Sequence, residues 1–429
     1  MQRDIHGVID NPSNLDLNEV TEWFIELDFN MEQASYDNFC SMFEESRCSK
    51  FTPGVVTKMI HFYGLFSDVE LIMLAHPDNS SITWITPASE LSILPDLNAG
   101  LDNTFLQHRT TLQNGLWGLE RVGAYQRGSE GSGVAIFILD TGVRLTHNEF
   151  TGRGISTLDM TSGSPVECNG DLNCAADAQG HGTHCAGTAA GTQYGVAPAA
   201  TVRSVKVLSD QGSGQWSWSY GALDWMARSS IRPAIASMSL GGSGTQQAMK
   251  DAVDAATNAG VTVIVAGGNS NSDACRFSPA FVPSAITVGS TDSLDRKSSF
   301  SNYGPCTNIW APGSSILSAG HRSDTGTATF SGTSMACPHV AGGAALVLER
   351  NPSFNYAKVL EALQNEAIAD QITDLRAGDV NRLLFVGEGG APPSPPLPPT
   401  PVPPPPPTNC PWFCDIICFQ PDCDGCGGC

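Results

Sequence analysis

Short β-branched or apolar runs alternate with helix-period segments through the middle of this chain. Val134 to Leu139, Thr201 to Leu208, Ala234 to Leu240, Val261 to Ala266 and Ala285 to Val288 have strand length and the near-continuous apolar character of strands covered on both faces. Helical patterns such as Gln246 to Asn258 lie between them. This alternation predicts an α/β unit, a mostly parallel sheet flanked by helices. Ahead of it, Glu22 to Leu27 reads as a strand, Asp68 to Ala75 as an amphipathic helix and Ile82 to Ile85 as a second strand, together a small α+β domain. Behind it, the proline-dominated residues 391–408 predict a semi-rigid polyproline II spacer of roughly 50 Å. The last segment carries Cys410, Cys414, Cys418, Cys423, Cys426 and Cys429 and is too short for a core without cross-links. The expected organisation is therefore 1–102, 103–390, 391–408 and 409–429.

A chain of 429 residues suits two or three domains. With 41% hydrophobic and 15% charged residues, most of it can bury enough apolar surface to fold. The net charge is -21, a surface that repels phosphate backbones and anionic lipid heads, so nucleic acid is excluded as a partner. No apolar run approaches the roughly 18 residues that span a bilayer, and no membrane partner is expected. Charge is uneven: residues 1–102 hold 17 acidic and 4 basic side chains. The 14 cysteines point to an oxidising, extracellular compartment. The start, Met1 to His6, has no apolar signal core, so either the true N-terminus lies upstream or export follows another route.

The chemistry gathers at predicted strand ends and helix starts. Asp140-Thr141-Gly142 closes the first strong strand, Gly180-His181-Gly182-Thr183-His184 sets an imidazole among glycines, and Gly332-Thr333-Ser334-Met335-Ala336 sets a hydroxyl where an apolar helical run begins. Serine is a poor nucleophile unless a base takes its proton and a buried carboxylate holds that base in the right tautomer. A fourth element, Gly267-Gly268-Asn269, ends another strand. Its amide N–H, with the backbone N–H of Ser334, would face a developing oxyanion. Singly each motif is an ordinary cap or turn; four in this order are improbable by chance.

From about Thr110 to Val386 the chain resembles the subtilisin-like serine proteases, most closely the proteinase K-like branch. The resemblance rests on Leu139-Asp140-Thr141-Gly142, Gly180 to Gly187, Ser239-Leu240-Gly241-Gly242, Ala266-Gly267-Gly268-Asn269, Ser299-Phe300-Ser301-Asn302-Tyr303-Gly304 and Gly332 to Gly342. It implies Asp140 as orienter, His181 as general base and acid, Ser334 as nucleophile and Asn269 as oxyanion donor, in the family's chain order. With an unperturbed His181 near pH 6.5, activity should fade as pH falls through that region. An α/β-hydrolase esterase would want Gly-x-Ser-x-Gly and the order Ser, Asp, His, which this chain lacks. A silent binding protein would not need all four residues intact.

The resemblance also implies that polypeptide substrates add a strand between Gly212-Ser213-Gly214-Gln215-Trp216 and Ser239-Leu240-Gly241-Gly242, gripped by backbone pairing with little sequence selectivity. Trp216 reads equally as an apolar wall for a substrate side chain or as packing, and a broad apolar or aromatic preference is expected. The first unit is similar to the family's inhibitory propeptide, chiefly in Tyr63 to Ser67 and Ile82 to Ile85. Its tail is expected to lie in the cleft until a cut between residues 103 and 112 releases it.

Cys275 and Cys306 match a disulfide of some proteinase K-like relatives. Cys168 and Cys174 lie in one short loop and can close a ring, and Cys40 with Cys48 is a further candidate pair. Cys185 and Cys337 read as free buried thiols; His147, His184 and His339 read as packing or turn residues without metal-ligand spacing. No cofactor is required for the chemistry. The family's common structural calcium would use the carbonyls of Pro283 and Ala285, with the neutral Asn308 replacing the usual carboxylate and weakening the site. The tail admits three disulfides or a zinc site including Cys423, Cys426 and Cys429, and reads either as a tethered binder of a wall or matrix polymer or as a stable cap.

Overall fold

The structure, a computed structural model, describes residues 21–27, 40, 48–50, 58–65, 67–69, 82–87, 91–93 and 116–388. In the first part β1 (Thr21–Leu27), β2 (Cys48–Lys50), β3 (Lys58–Gly64) and β4 (Ile82–Pro87) form an antiparallel sheet in the order β2-β3-β1-β4. Trp23, Ile25 and Leu27 alternate along β1 and are all buried, as the period of two requires when one face is covered. The expected helix over 68–75 is described only at residues 67–69, which are helical. The cut region at 103–112, the proline-rich segment and the cysteine tail lie outside the described residues.

Next comes β5 (Leu91–Ile93), and from there the strands are β6 (Ala135–Asp140), β7 (Gly154–Asp159), β8 (Val166–Glu167), β9 (Thr201–Lys206), β10 (Ser213–Gly214), β11 (Ala234–Met238) and β12 (Leu240–Ser243). They continue as β13 (Val261–Ala266), β14 (Phe277–Ser278), β15 (Ile286–Thr291), β16 (Ile309–Pro312), β17 (Ile316–Ala319), β18 (Thr327–Phe330), β19 (Ile368–Ala369) and β20 (Arg382–Leu383). The helices are α1 (Trp117–Arg121), α2 (His181–Ala190), α3 (Trp216–Arg228), α4 (Gln247–Asn258), α5 (Thr333–Arg350) and α6 (Tyr356–Glu366).

The main sheet runs β19-β20-β16-β15-β13-β11-β6-β9-β7-β8. Every pairing in it is parallel except β19 with β20 and β7 with β8, at its two ends. The predicted α/β layering is therefore what folds. Ile136 and Ile138 of β6 join one apolar cluster with residues of α2 and α5, while Ala135, Phe137 and Leu139 join a second with residues of α3 and α4. Both faces of β6 are covered, which explains the unbroken apolar run in the sequence. Because the central strands are parallel, Asp140, Ser239 and the loop holding Asn269 all leave the sheet at its carboxyl edge, where open α/β sheets place their sites.

Cys40–Cys48, Cys168–Cys174 and Cys275–Cys306 are disulfides, and Cys185 and Cys337 are free and buried. Near the start of the main unit, Arg121 forms a two-pronged ion pair with Asp295, Nε to Oδ1 and Nη2 to Oδ2 both at 2.8 Å, with the side chains 4% and 2% exposed. Among the described residues no helix is long and apolar enough to cross a membrane.

Candidate active site

Asp140 is the last residue of β6 and fully buried. His181 opens α2, whose first turn packs so closely that a side chain on Gly182 would come within 2.1 Å of the Gly142 carbonyl. That contact turns the ring toward the strand end: His181 Nδ1 lies 2.8 and 2.9 Å from the two Asp140 oxygens. A carboxylate there accepts the Nδ1 proton and leaves Nε2 as the basic atom. Nε2 is buried and without a hydrogen-bond partner among the described residues. Burial works against charge on His181, yet the Asp140 carboxylate and then the Cys185 sulfur outweigh it and hold the imidazole well above its ordinary pKa of 6.5.

Ser334 is the second residue of α5 and buried. Its Oγ donates to Ser239 O at 3.1 Å, so in this state it is not bonded to His181; catalytic contacts of this kind often close only around a substrate. Proline cannot donate a helical N–H, and Pro338 lies four residues after Ser334 inside α5. The Ser334 carbonyl thus loses its helical partner and instead accepts from Ser239 Oγ at 2.9 Å and from Cys185 Sγ at 3.4 Å. Cys185 Sγ also lies 3.8 Å from His181 Nδ1, so one buried thiol touches both the His181 ring and the Ser334 backbone.

Asn269 is oriented by Thr333, the residue before Ser334. Its Oδ1 accepts from Thr333 N and Thr333 Oγ1, both at 2.9 Å. With the oxygen engaged, Nδ2 faces the start of α5, 3.0 Å from where a side chain on Gly332 would begin. Asn302 anchors the loop from behind, donating from Nδ2 to Gly267 O and accepting at Oδ1 from Ser270 N and Ser272 N.

The stretches expected to grip substrate flank β5. The sheet order β10-β5-β12-β14 sets Leu91 to Ile93 between Ser213-Gly214 and Leu240-Gly241, antiparallel to both. Gly212 has φ +82°, and a side chain on it would meet Ile93 Cδ1 at 2.9 Å, so glycine is required there on two counts. Gly242 pairs onward with β14, Ser239 serves the nucleophile, and Trp216 is fully buried in the same cluster as Leu91.

Sequence reasoning missed Asp177. Its Oδ1 accepts from Thr141 Oγ1, Gln179 N and Gly180 N, and its Oδ2 from Thr183 N and Thr183 Oγ1, which fastens the turn after Asp140 to the start of α2. A carboxylate four residues before the first helical residue was the available signal. His184, His339 and His147 are structural, as read: they bond the carbonyls of Ile316, Met335 and Gly326. Burial pushes His184 down to about 3 and His339 to about 4.

Known proteins are similar to this chain. The chain is 46% identical over 279 residues to "Extracellular serine proteinase" of Thermus sp. (strain Rt41A), covering 63% of this chain and 65% of that one. It is 44% identical over 312 residues to "Alkaline serine exoprotease A" of Vibrio alginolyticus, covering 71% of this chain and 54% of that one. The chain thus spans less than two thirds of the length of either relative. A crystal structure of a cold adapted subtilisin-like serine proteinase superposes with a TM-score of 0.59 at 44% identity, covering 63% of this chain and 97% of that one. Residues 131–388, the stretch that supplies Asp140, His181, Asn269 and Ser334, match the profile described as "Subtilase family", and this chain belongs to that family.

Proposed function

We propose that this chain is a secreted serine endopeptidase made as a zymogen. Asp140 fixes the His181 tautomer; His181 Nε2 takes the proton of Ser334 Oγ as the oxygen attacks a peptide carbonyl; Asn269 Nδ2 and Ser334 N hold the oxyanion. His181 then protonates the leaving amine, and water releases the acyl group by the same route in reverse. The observation that carries the reading is the buried Asp140–His181 bond at 2.8 Å with Nε2 left without a hydrogen-bond partner among the described residues. Three disulfides and a relative named as extracellular support an oxidising location. Backbone pairing along β10 and β12 supports broad specificity, and the apolar cluster that receives Leu91 supports a preference for apolar or aromatic side chains.

The family's calcium fits these residues poorly. Asn308 is neutral, and its Oδ1 already accepts the Thr287 N–H at 2.7 Å, whereas a tight calcium site wants carboxylate oxygens. No step is routed through a metal. The test is casein hydrolysis together with fluorophosphonate labelling. Labelling mapped to Ser334, with both signals lost in Ser334→Ala, is the expected result; an unlabelled protein without turnover after its first unit is removed would instead mark a silent scaffold that presents its tail.

A further inference from the structure

Thr141 follows Asp140 directly, is fully buried, and ties separate segments of the chain to one another. Its N–H donates to Asp140 Oδ1 at 2.7 Å, and its carbonyl accepts from Lys206 Nζ at 2.5 Å. These two bonds fix its main chain and leave one rotor, the hydroxyl. That hydroxyl donates to Asp177 Oδ1 at 2.9 Å and accepts from Gly182 N at 3.0 Å. A hydroxyl has a single proton, so the carboxylate that takes it is what turns the oxygen's lone pairs toward Gly182. Gly182 comes directly after His181 in the first turn of α2. The Asp140 oxygen that accepts Thr141 N is also the one 2.8 Å from His181 Nδ1. The orienting carboxylate and the helix that carries the imidazole are therefore both fastened to one side chain.

A helix cap does not need this link. Asp177 is buried, and among the described residues no Lys or Arg pairs with it; N–H and O–H donors surround its charge instead. Gln179 N, Gly180 N, Thr183 N and Thr183 Oγ1 are the donors that a carboxylate at a helix start collects. Thr141 Oγ1 comes from 36 residues earlier, just past the end of β6, and satisfies nothing in the helix. We propose that Asp177 is a positioning residue: through the Thr141 hydroxyl it sets how His181 meets Asp140, and so how Nε2 is aimed at Ser334 Oγ. This rests on His181 being the base and Ser334 the nucleophile.

Thr141→Val tests the link without altering any charge, since it removes the hydroxyl and keeps the Asp177 carboxylate. Wild type, Thr141→Val, Thr141→Ser and Asp177→Ala are compared by peptide kinetics per active site, with the sites counted by exhaustive fluorophosphonate labelling. Thermal melts and pH–rate profiles run alongside. In Thr141→Val and Asp177→Ala, kcat per labelled site should fall roughly 10- to 100-fold with KM little changed, the scale of a misplaced reacting group. Thr141→Ser returns the hydroxyl and should recover most of the loss. Burial opposes charge on His181, while Asp140 of β6 and Cys185 of α2 favour it. A looser contact with Asp140 should therefore move the acid limb of kcat/KM to lower pH in Thr141→Val. A carboxylate that only caps α2 would lower the melting temperature and leave the rate per site and the limb as in wild type. A wild-type rate per site in Thr141→Val, or in Asp177→Ala if the first variant does not fold, overturns the proposal. Wild type that neither labels nor hydrolyses peptide overturns the peptidase reading instead.

Discussion

Ser239 and Ser334 exchange two hydrogen bonds: Ser239 Oγ donates to the Ser334 carbonyl at 2.9 Å, and Ser334 Oγ donates to the Ser239 carbonyl at 3.1 Å. The first exists because Pro338 removes the helical donor to that carbonyl. Ser239→Ala leaves Cys185 Sγ alone on the freed oxygen. The protein should fold with a loss of about 1 kcal/mol, and kcat/KM should fall roughly tenfold as the nucleophile loses its fixed position. Thermal melts beside peptide kinetics check this; unchanged kinetics would show that Ser239 only packs.

Asn269→Ala should fold and bind peptide with little change in KM while kcat drops roughly 100- to 1000-fold, the magnitude known for subtilisin's own oxyanion amide. Steady-state kinetics separate the two constants. An increase confined to KM would move Asn269 from transition-state stabilisation to ground-state binding.

The base must be neutral to accept a proton, and the Asp140 charge holds the His181 pKa well above 6.5. The acid limb of kcat/KM should therefore lie above pH 6.5, with activity lost as pH falls through that raised value, an upward displacement from the sequence expectation. Asp140→Asn should lower the limb and cut the rate by about four orders of magnitude through the wrong tautomer. A pH-rate profile of the free enzyme tests both.

His184 and His339 act on stability in the opposite sense. Buried and held near 3 and 4, they stay neutral when folded, whereas the unfolded chain protonates near 6.5. Below that pH the unfolded state binds more protons, so stability should fall by about 1.4 kcal/mol per pH unit for each residue until the folded values are reached. Above pH 6.5 neither contributes. Denaturant melts between pH 7 and pH 5 should show the slope, shallower in His339→Gln.

The sheet was legible because β6, β11 and β13 are buried throughout, which favours apolar residues at most positions and leaves turn-formers at the ends. Asp140 and Asn269 were legible because they stand at or just beyond such ends, and His181 and Ser334 because small residues precede each where a helix begins. The predicted strand Thr201 to Leu208 stops at Lys206, where Val207 and Leu208 both donate to the Asp140 carbonyl; an apolar pattern cannot report that turn. The Ser239–Ser334 exchange stayed hidden because each hydroxyl bonds a main-chain carbonyl 95 residues away, and backbone partners leave no trace in residue type; Asp177 was hidden because most of its partners are main-chain N–H groups of its own turn. The place of β5 was hidden for a related reason: three residues paired through main chain look like any short apolar stretch until their neighbours are known.

The Arg121–Asp295 clamp bears on what would follow if the chain were severed upstream. Removing one partner of so buried a pair costs about 3–5 kcal/mol, so α1 is fastened to the turn after β15 by a bond that does not depend on anything before residue 117. An end made anywhere ahead of that pair would have nowhere to unravel from.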